Sequence, residues 1–148
     1  MANNPMALQG QLNRLRANLL VPNFPNLNVT ASFLGKAGIT IALEGESTAF
    51  IQTMTGAVTS PEPYMMTNVT VNLLKSQSLA NQYKLKMESL ALIGDITIKP
   101  DSSMLSDYYI TNCGVQSVRE MNLNGEDAGF IITVRGYYML NNSAWALL

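Results

Sequence analysis

Chemistry at neutral pH leans on histidine more than on any other side chain, and this chain contains none. That removes the usual general base and the commonest metal ligand. It also rules out every Ser-His-Asp or Cys-His arrangement. Cys113 is the single cysteine, so it cannot form an intrachain disulfide and reads as a small buried hydrophobe. Carboxylates remain. Glu44 and Glu46 share one side of a strand if the strand runs through both, and Glu126 adjoins Asp127, but in such polar stretches carboxylates ordinarily serve solvation. Asp95, Asp101 and Asp107 are too dispersed for a calcium loop. No Gly-x-Ser-x-Gly elbow occurs, and Gly35-Lys36-Ala37 lacks the upstream glycine and the following Ser or Thr of a phosphate loop. Asn28-Val29-Thr30, Asn68-Val69-Thr70 and Asn141-Asn142-Ser143 match the glycosylation triplet, which only a secreted chain would use. The expectation is a protein that is not an enzyme and that holds no metal and no cofactor.

The composition points elsewhere. Charged residues make up 13% of the chain, against about 25% in an average globular protein. A soluble monomer dresses its exterior in charge, so a neutral exterior rich in Asn, Ser, Thr, Met and Leu implies that copies of the chain cover one another. Nine basic and ten acidic residues leave a formal charge of −1, without the Lys/Arg excess that tight nucleic-acid binding requires. A chain of 148 residues suits one domain, which would bury roughly 68–70% of its unfolded surface. Met1 to Gly10 lacks the basic and then apolar run of a signal peptide, and no stretch approaches the ~18 apolar residues of a membrane span. The chain therefore reads as soluble and made in the cytosol.

The elements follow from periodicity. Residues 1–13, polar and interrupted by Pro5, read as an N-terminal arm; 14–140 read as a single β domain, and 141–148 as a C-terminal tail. Leu15, Ala17, Leu19 and Val21 alternate as a half-buried strand that Pro22 and Pro25 end, and Leu27, Val29, Ala31 and Phe33 repeat the alternation. Gly35 and Gly38 bracket a turn before a strand through Ile39, Ile41 and Leu43. Thr48 to Val58 and Val69 to Leu74 are further strands, and Ser60 to Met66 between them reads as a long, sticky loop stiffened by Pro61 and Pro63. In Ser78 to Leu92 the rhythm changes, because Leu79, Tyr83, Met87, Leu90 and Ala91 fall at helical spacing, with Ser76 or Ser78 as cap and Gly94 as stop. Ile96 and Ile98, Tyr108 to Val115 and Gln116 to Leu123 resume strand texture; Asn124-Gly125 is a hairpin turn signal. In the last strand, Ala128 to Leu140, Phe130, Ile132 and Val134 give way to Tyr137 and Met139, a parity switch at Gly136 that suggests a bulge. About eight strands and one helix, without repeated helical crossovers, predict a mainly β fold: an antiparallel sandwich or barrel with one flanking α-helix.

The polar arm, the long Thr48 to Leu74 hairpin, the single helix, Gly94-Asp95-Ile96-Thr97-Ile98, and Gly125-Glu126-Asp127-Ala128-Gly129-Phe130 before a strand ending in Gly136-Tyr137-Tyr138 together resemble a bacteriophage tail tube protein. The likeness spans roughly Val29 to Leu140 and rests on element order and texture. The family includes the tubes of contractile phage tails, pyocins and type VI secretion systems. The resemblance implies two packed sheets with a helix on the flank, and subunits that close into six-membered rings with sheets joined edge to edge. The rings stack into the hollow conduit of a contractile-tailed virion, assembled in the bacterial host cytoplasm. It further implies the chain itself as chief partner, then tail sheath, tape measure, baseplate and tail terminator proteins, with double-stranded DNA passing through the lumen without tight binding.

Stacking contacts in that family come from the arm, an extended hairpin loop and the C-terminus, which makes Leu8, Leu12, Pro61, Pro63, Tyr64, Met65 and Trp145 the interface candidates here. A lumen that lets DNA slide must not be basic, so Glu44, Glu46, Glu120, Glu126 and Asp127 are the candidates to face it. Three alternatives stay open: a barrel that carries a small apolar ligand, the tube subunit of a pyocin or secretion-type injection device, and a single-strand-binding barrel. The last lacks a basic groove beside Tyr83, Tyr108, Tyr109, Tyr137 and Tyr138.

Overall fold

The computed structural model describes residues 16–74, 78–101, 105–118 and 129–145. Eight strands form it: β1 (Ala17–Leu20), β2 (Leu34–Glu44), β3 (Thr48–Thr53), β4 (Gly56–Pro61), β5 (Tyr64–Leu74), β6 (Leu92–Pro100), β7 (Tyr108–Val118) and β8 (Gly129–Met139). Helix α1 (Ser78–Ser89) separates β5 from β6, and a single turn, α2 (Asn142–Trp145), follows β8. The fold is mainly β and antiparallel with one flanking helix. Six strands make a sheet in the order β1-β6-β7-β8-β5-β2, curled as a half-barrel, while β3 and β4 pair only with each other.

Period-2 alternation builds the sheet. In β5, Met65, Thr67, Val69, Val71 and Leu73 are buried while Met66, Asn68, Thr70, Asn72 and Leu74 point to the other face. The neighbouring β8 does the same with Phe130, Ile132 and Val134, so the Val69–Val134 and Leu73–Phe130 pairs lie within one core. Helix α1 covers that core with Leu79, Ala80 and Tyr83 and rests on the chain before it: the Tyr83 hydroxyl donates to the Leu27 carbonyl at 2.6 Å, and the Lys86 ammonium sits 3.7 Å from the centre of the Phe24 ring. Burial pushes the Tyr83 hydroxyl pKa well above its ordinary value.

Several elements depart from the expected pattern. Leu27 and Val29 do point inward, yet two 3-10 turns, Pro25–Leu27 and Ala31–Phe33, replace the expected second strand, and only Val29 joins a ladder, against Leu19. Pro25 at the start of the first turn explains the difference, since its ring fixes a helical φ. Gly35 and Gly38 lie inside β2, where the register shifts between Leu34 and Ile39, so the expected turn is a bulge. The helix ends at Ser89, leaving Leu90 exposed, and Gly94 belongs to β6 instead of stopping the helix. Thr48 to Val58 is two strands, and the expected loop from Ser60 to Met66 is almost all strand, with only Glu62 and Pro63 between β4 and β5.

The parity switch at Gly136 is absent. β8 pairs with β5 without interruption, and the irregularity lies across the way in β7, where the register slips between Thr111 and Gly114 and Asn112 takes φ 50°. Gly136 makes that slip possible: a Cβ there would lie 2.6 Å from the Cys113 sulfur, 2.7 Å from Ile110 Cγ2 and 2.9 Å from the Thr111 carbonyl oxygen. The Cys113 thiol donates to the Ile110 carbonyl at 3.4 Å, and burial, with a lesser contribution from Asp95, pushes its pKa up to about 12. It is a protonated core residue with no nucleophile's character at neutral pH.

Candidate self-assembly surfaces

The β3–β4 hairpin leaves the end of the sheet as a two-stranded ribbon. Thr53 and Gly56 close its tip around Met54 and Thr55, with the Thr53 hydroxyl donating to the Gly56 carbonyl at 3.0 Å. Ile51 and Val58 are cross-strand partners on one side of the ribbon and are 56% and 55% exposed; Phe50, 66% exposed, lies on the other beside Thr59; Met54 at the tip is fully exposed. No charged residue occurs between Ser47 and Pro61. A lone two-stranded hairpin is marginal in water, and large apolar side chains on both of its sides make it a candidate contact surface.

The two margins of the six-stranded sheet differ. At β1 the backbone is occupied: Leu19 and Val29 exchange N–H to carbonyl bonds at 2.8 Å each way, and the Val21 N–H donates to the Asn28 side-chain oxygen at 2.7 Å. At β2, among the described residues, no strand pairs with the outer side. Beyond the bulge, the regular stretch from Ile39 to Glu44 is a template for a further strand.

The face of the sheet opposite the core is uncharged over most of its middle. Thr40, Thr70 and Thr133 form one cross-strand row, and Ala42, Asn68 and Arg135 the next. Arg135 is held on both guanidinium arms, by Glu44 at 2.7 Å and by the Asn68 carbonyl oxygen at 3.0 Å, and the Asn68 amide donates to the other Glu44 oxygen. The three side chains close a ring of hydrogen bonds across β2, β5 and β8. At one end of this face Tyr64 meets Tyr137 edge to face at 5.9 Å, and Asn112 donates to the Tyr137 hydroxyl at 3.4 Å. Near β1, Arg16 pairs with Asp101 at 2.7 Å beside an open polar groove that Asn18, Thr30 and Ser32 also line.

No protein-family model, no curated protein and no solved structure matches the chain.

The residues singled out from sequence fall in different places. Leu8, Leu12, Glu120, Glu126 and Asp127 lie outside the described residues. Pro61 ends β4, Pro63 sits in the corner before β5, and Tyr64 opens β5 exposed, but Met65 turns inward and is 9% exposed. Trp145 closes α2. Glu44 and Glu46 do not share a strand face, because β2 stops at Glu44 and Gly45, at φ 100°, turns the chain; Glu46 is exposed in that turn. Phe50, Ile51, Met54 and Val58 went unremarked in the sequence, although Gly56 after Thr53-Met54-Thr55 is a turn signal of the ordinary kind. Arg135 and Asn68 carried no local signal at all, since only the register brings them to Glu44. Among the described residues no three carboxylates or thiols gather as a metal site requires, and no helix is long and apolar enough to cross a membrane.

Proposed function

We propose that the chain is the structural subunit of a phage tail tube, which assembles with copies of itself into stacked rings around a channel for the genome. The observation that carries this is the β3–β4 hairpin, whose uncharged, apolar ribbon stands clear of its own core. Its chemistry matches a second copy of the same low-charge chain better than a charged or nucleic-acid partner. In this arrangement the hairpin seats in the next ring, the open β2 margin takes a strand from a neighbour within the ring, and the threonine and amide face lines the channel.

The middle of that face suits a passage for DNA because it presents hydroxyls and amides and its central cation, Arg135, is already neutralised by Glu44, while Lys99 stands exposed on the same face next to β1. Cations hold phosphates through counterion release, so it is the Thr and Asn rows of β2, β5 and β8 that are assigned to the passage. The test is the size of the purified chain in solution together with its appearance in negative stain. Rings or tubes are expected. A single subunit that persists at high concentration would overturn the assignment, whereas tubes that still form after Ala49 to Ser60 is replaced by a short turn would overturn the part given to the hairpin.

A further inference from the structure

The hairpin is carried on a narrow neck, and one side chain crosses it. On the outgoing limb the chain turns at Gly45 and enters β3 at Thr48; on the return it leaves β4 at Pro61 and bends through Glu62 and Pro63 into β5. A backbone bond runs between the limbs from the Glu62 N–H to the Ser47 carbonyl at 3.0 Å, and the Leu140 N–H donates to the Pro63 carbonyl at 2.9 Å. Directly after Leu140, the Asn141 amide nitrogen donates to the Ser47 carbonyl at 2.9 Å and to the Glu62 carbonyl at 2.7 Å.

Both amide protons of Asn141 are therefore spent on the two limbs of the neck. The residue type is well matched to the place. Asn141 has φ 52°, a left-handed conformation that Asn tolerates better than most residues, and its short stem carries two N–H donors. Its own carbonyl accepts the Ala144 N–H at 2.9 Å, so α2 anchors it from behind. Pro61 and Pro63 hold the returning limb's φ angles on either side of Glu62. The end of β8 thus grips the hairpin from outside it, although β3 and β4 make no pairing with the sheet.

We propose, on the reading of the hairpin as a contact between copies, that Asn141 is the positioning residue that fixes the angle at which the hairpin leaves the sheet and so sets the readiness of the subunit to polymerise. A hairpin held in its docking direction loses little freedom on binding, whereas a swinging one is competent for only a fraction of the time, and its apparent affinity falls by that fraction. The neck carbonyls can turn to water when the amide is removed, so the core keeps its stability.

Two variants test this. Asn141→Gly keeps the left-handed backbone and deletes the amide; Asn141→Asp keeps the size and aims oxygens at the two carbonyls. The expected result has three parts: an unchanged thermal midpoint, faster amide hydrogen exchange confined to Thr48–Pro61, and a critical concentration for polymerisation raised roughly tenfold, which corresponds to a hairpin correctly aimed about a tenth of the time. Wild-type polymerisation in both variants, with the hairpin-deleted chain failing to polymerise, would overturn the role of Asn141 and leave the hairpin contact standing. A hairpin-deleted chain that polymerises like wild type would overturn the hairpin contact itself, and the role of Asn141 with it.

Discussion

The β5–β8 pair and the β3–β4 pair are built from similar residues, and the molecule treats them in opposite ways. Both are antiparallel, both alternate, and both mix threonine with β-branched and aromatic side chains. In β5–β8 the alternation separates two environments, since Val69, Val71, Ile132 and Val134 meet the core and Asn68, Thr70, Thr133 and Arg135 meet solvent. In β3–β4 it separates nothing, because Phe50 is exposed on one side and Ile51 with Val58 on the other. Strand pairing by itself holds a ribbon together only marginally; a buried face is what makes a pair permanent. The ribbon lacks such a face within its own subunit.

This contrast can be broken at several points. The largest change should come from Ile132→Ala, which deletes buried methyl groups and should cost about 2–5 kcal/mol as read by urea unfolding; Ile51→Ala in the ribbon should stay within about 0.5 kcal/mol. Equal losses at the two sites would erase the distinction. Gly136→Ala should follow at about 1–3 kcal/mol, because the new methyl meets the Cys113 sulfur and the Thr111 carbonyl; an unchanged melting midpoint would mean that the β7 slip accommodates it. Phe50→Ser combined with Ile51→Ser should leave the subunit as stable as before and suppress tubes in negative stain. Glu44→Gln is a smaller change still, about 0–1 kcal/mol for a partly exposed ion pair, but it frees Arg135, so tubes of the variant should retain double-stranded DNA in low salt and release it as salt rises. Equal retention by both tubes would remove Arg135 and Glu44 from any role in the passage. Smallest of all, the buried Cys113 thiol should resist alkylation at neutral pH until the chain is unfolded.

The fold class was legible in the residues, and the exposed ribbon was not. Period-2 alternation and a single break into helical spacing led to an antiparallel β fold with one helix, and the inward residues of β5, β6 and β8 follow from period 2 alone. The misreadings have physical causes. Leu27 and Val29 alternate like a strand, but Pro25 winds the chain into a 3-10 turn. Gly136 looked like a bulge because Tyr137 and Tyr138 are both large; the neighbouring strand is the one that bulges, and a glycine that makes room for a neighbour reads the same as one that bends its own strand. Ser60 to Met66 looked like a loop because of its prolines, yet Pro61 and Pro63 sit at a strand end and a corner, positions that need no ladder donor. Arg135 with Glu44, and Asn141 with Ser47, lie 91 and 94 residues apart along the chain, and no local pattern foretells such meetings.

The unequal margins of the sheet restrict how copies could join. Two β2 strands that paired with each other would satisfy both partners and end the process as a closed couple. In the proposed ring, β2 would have to meet something other than β2, which would give every subunit a donor side and an acceptor side and the ring a sense of rotation. A subunit disabled only at β2 would still be taken up by the neighbour behind it and would then accept none in front. Mixed into a healthy population, a small minority of such subunits would halt many incomplete rings, an inhibitory effect out of proportion to their number.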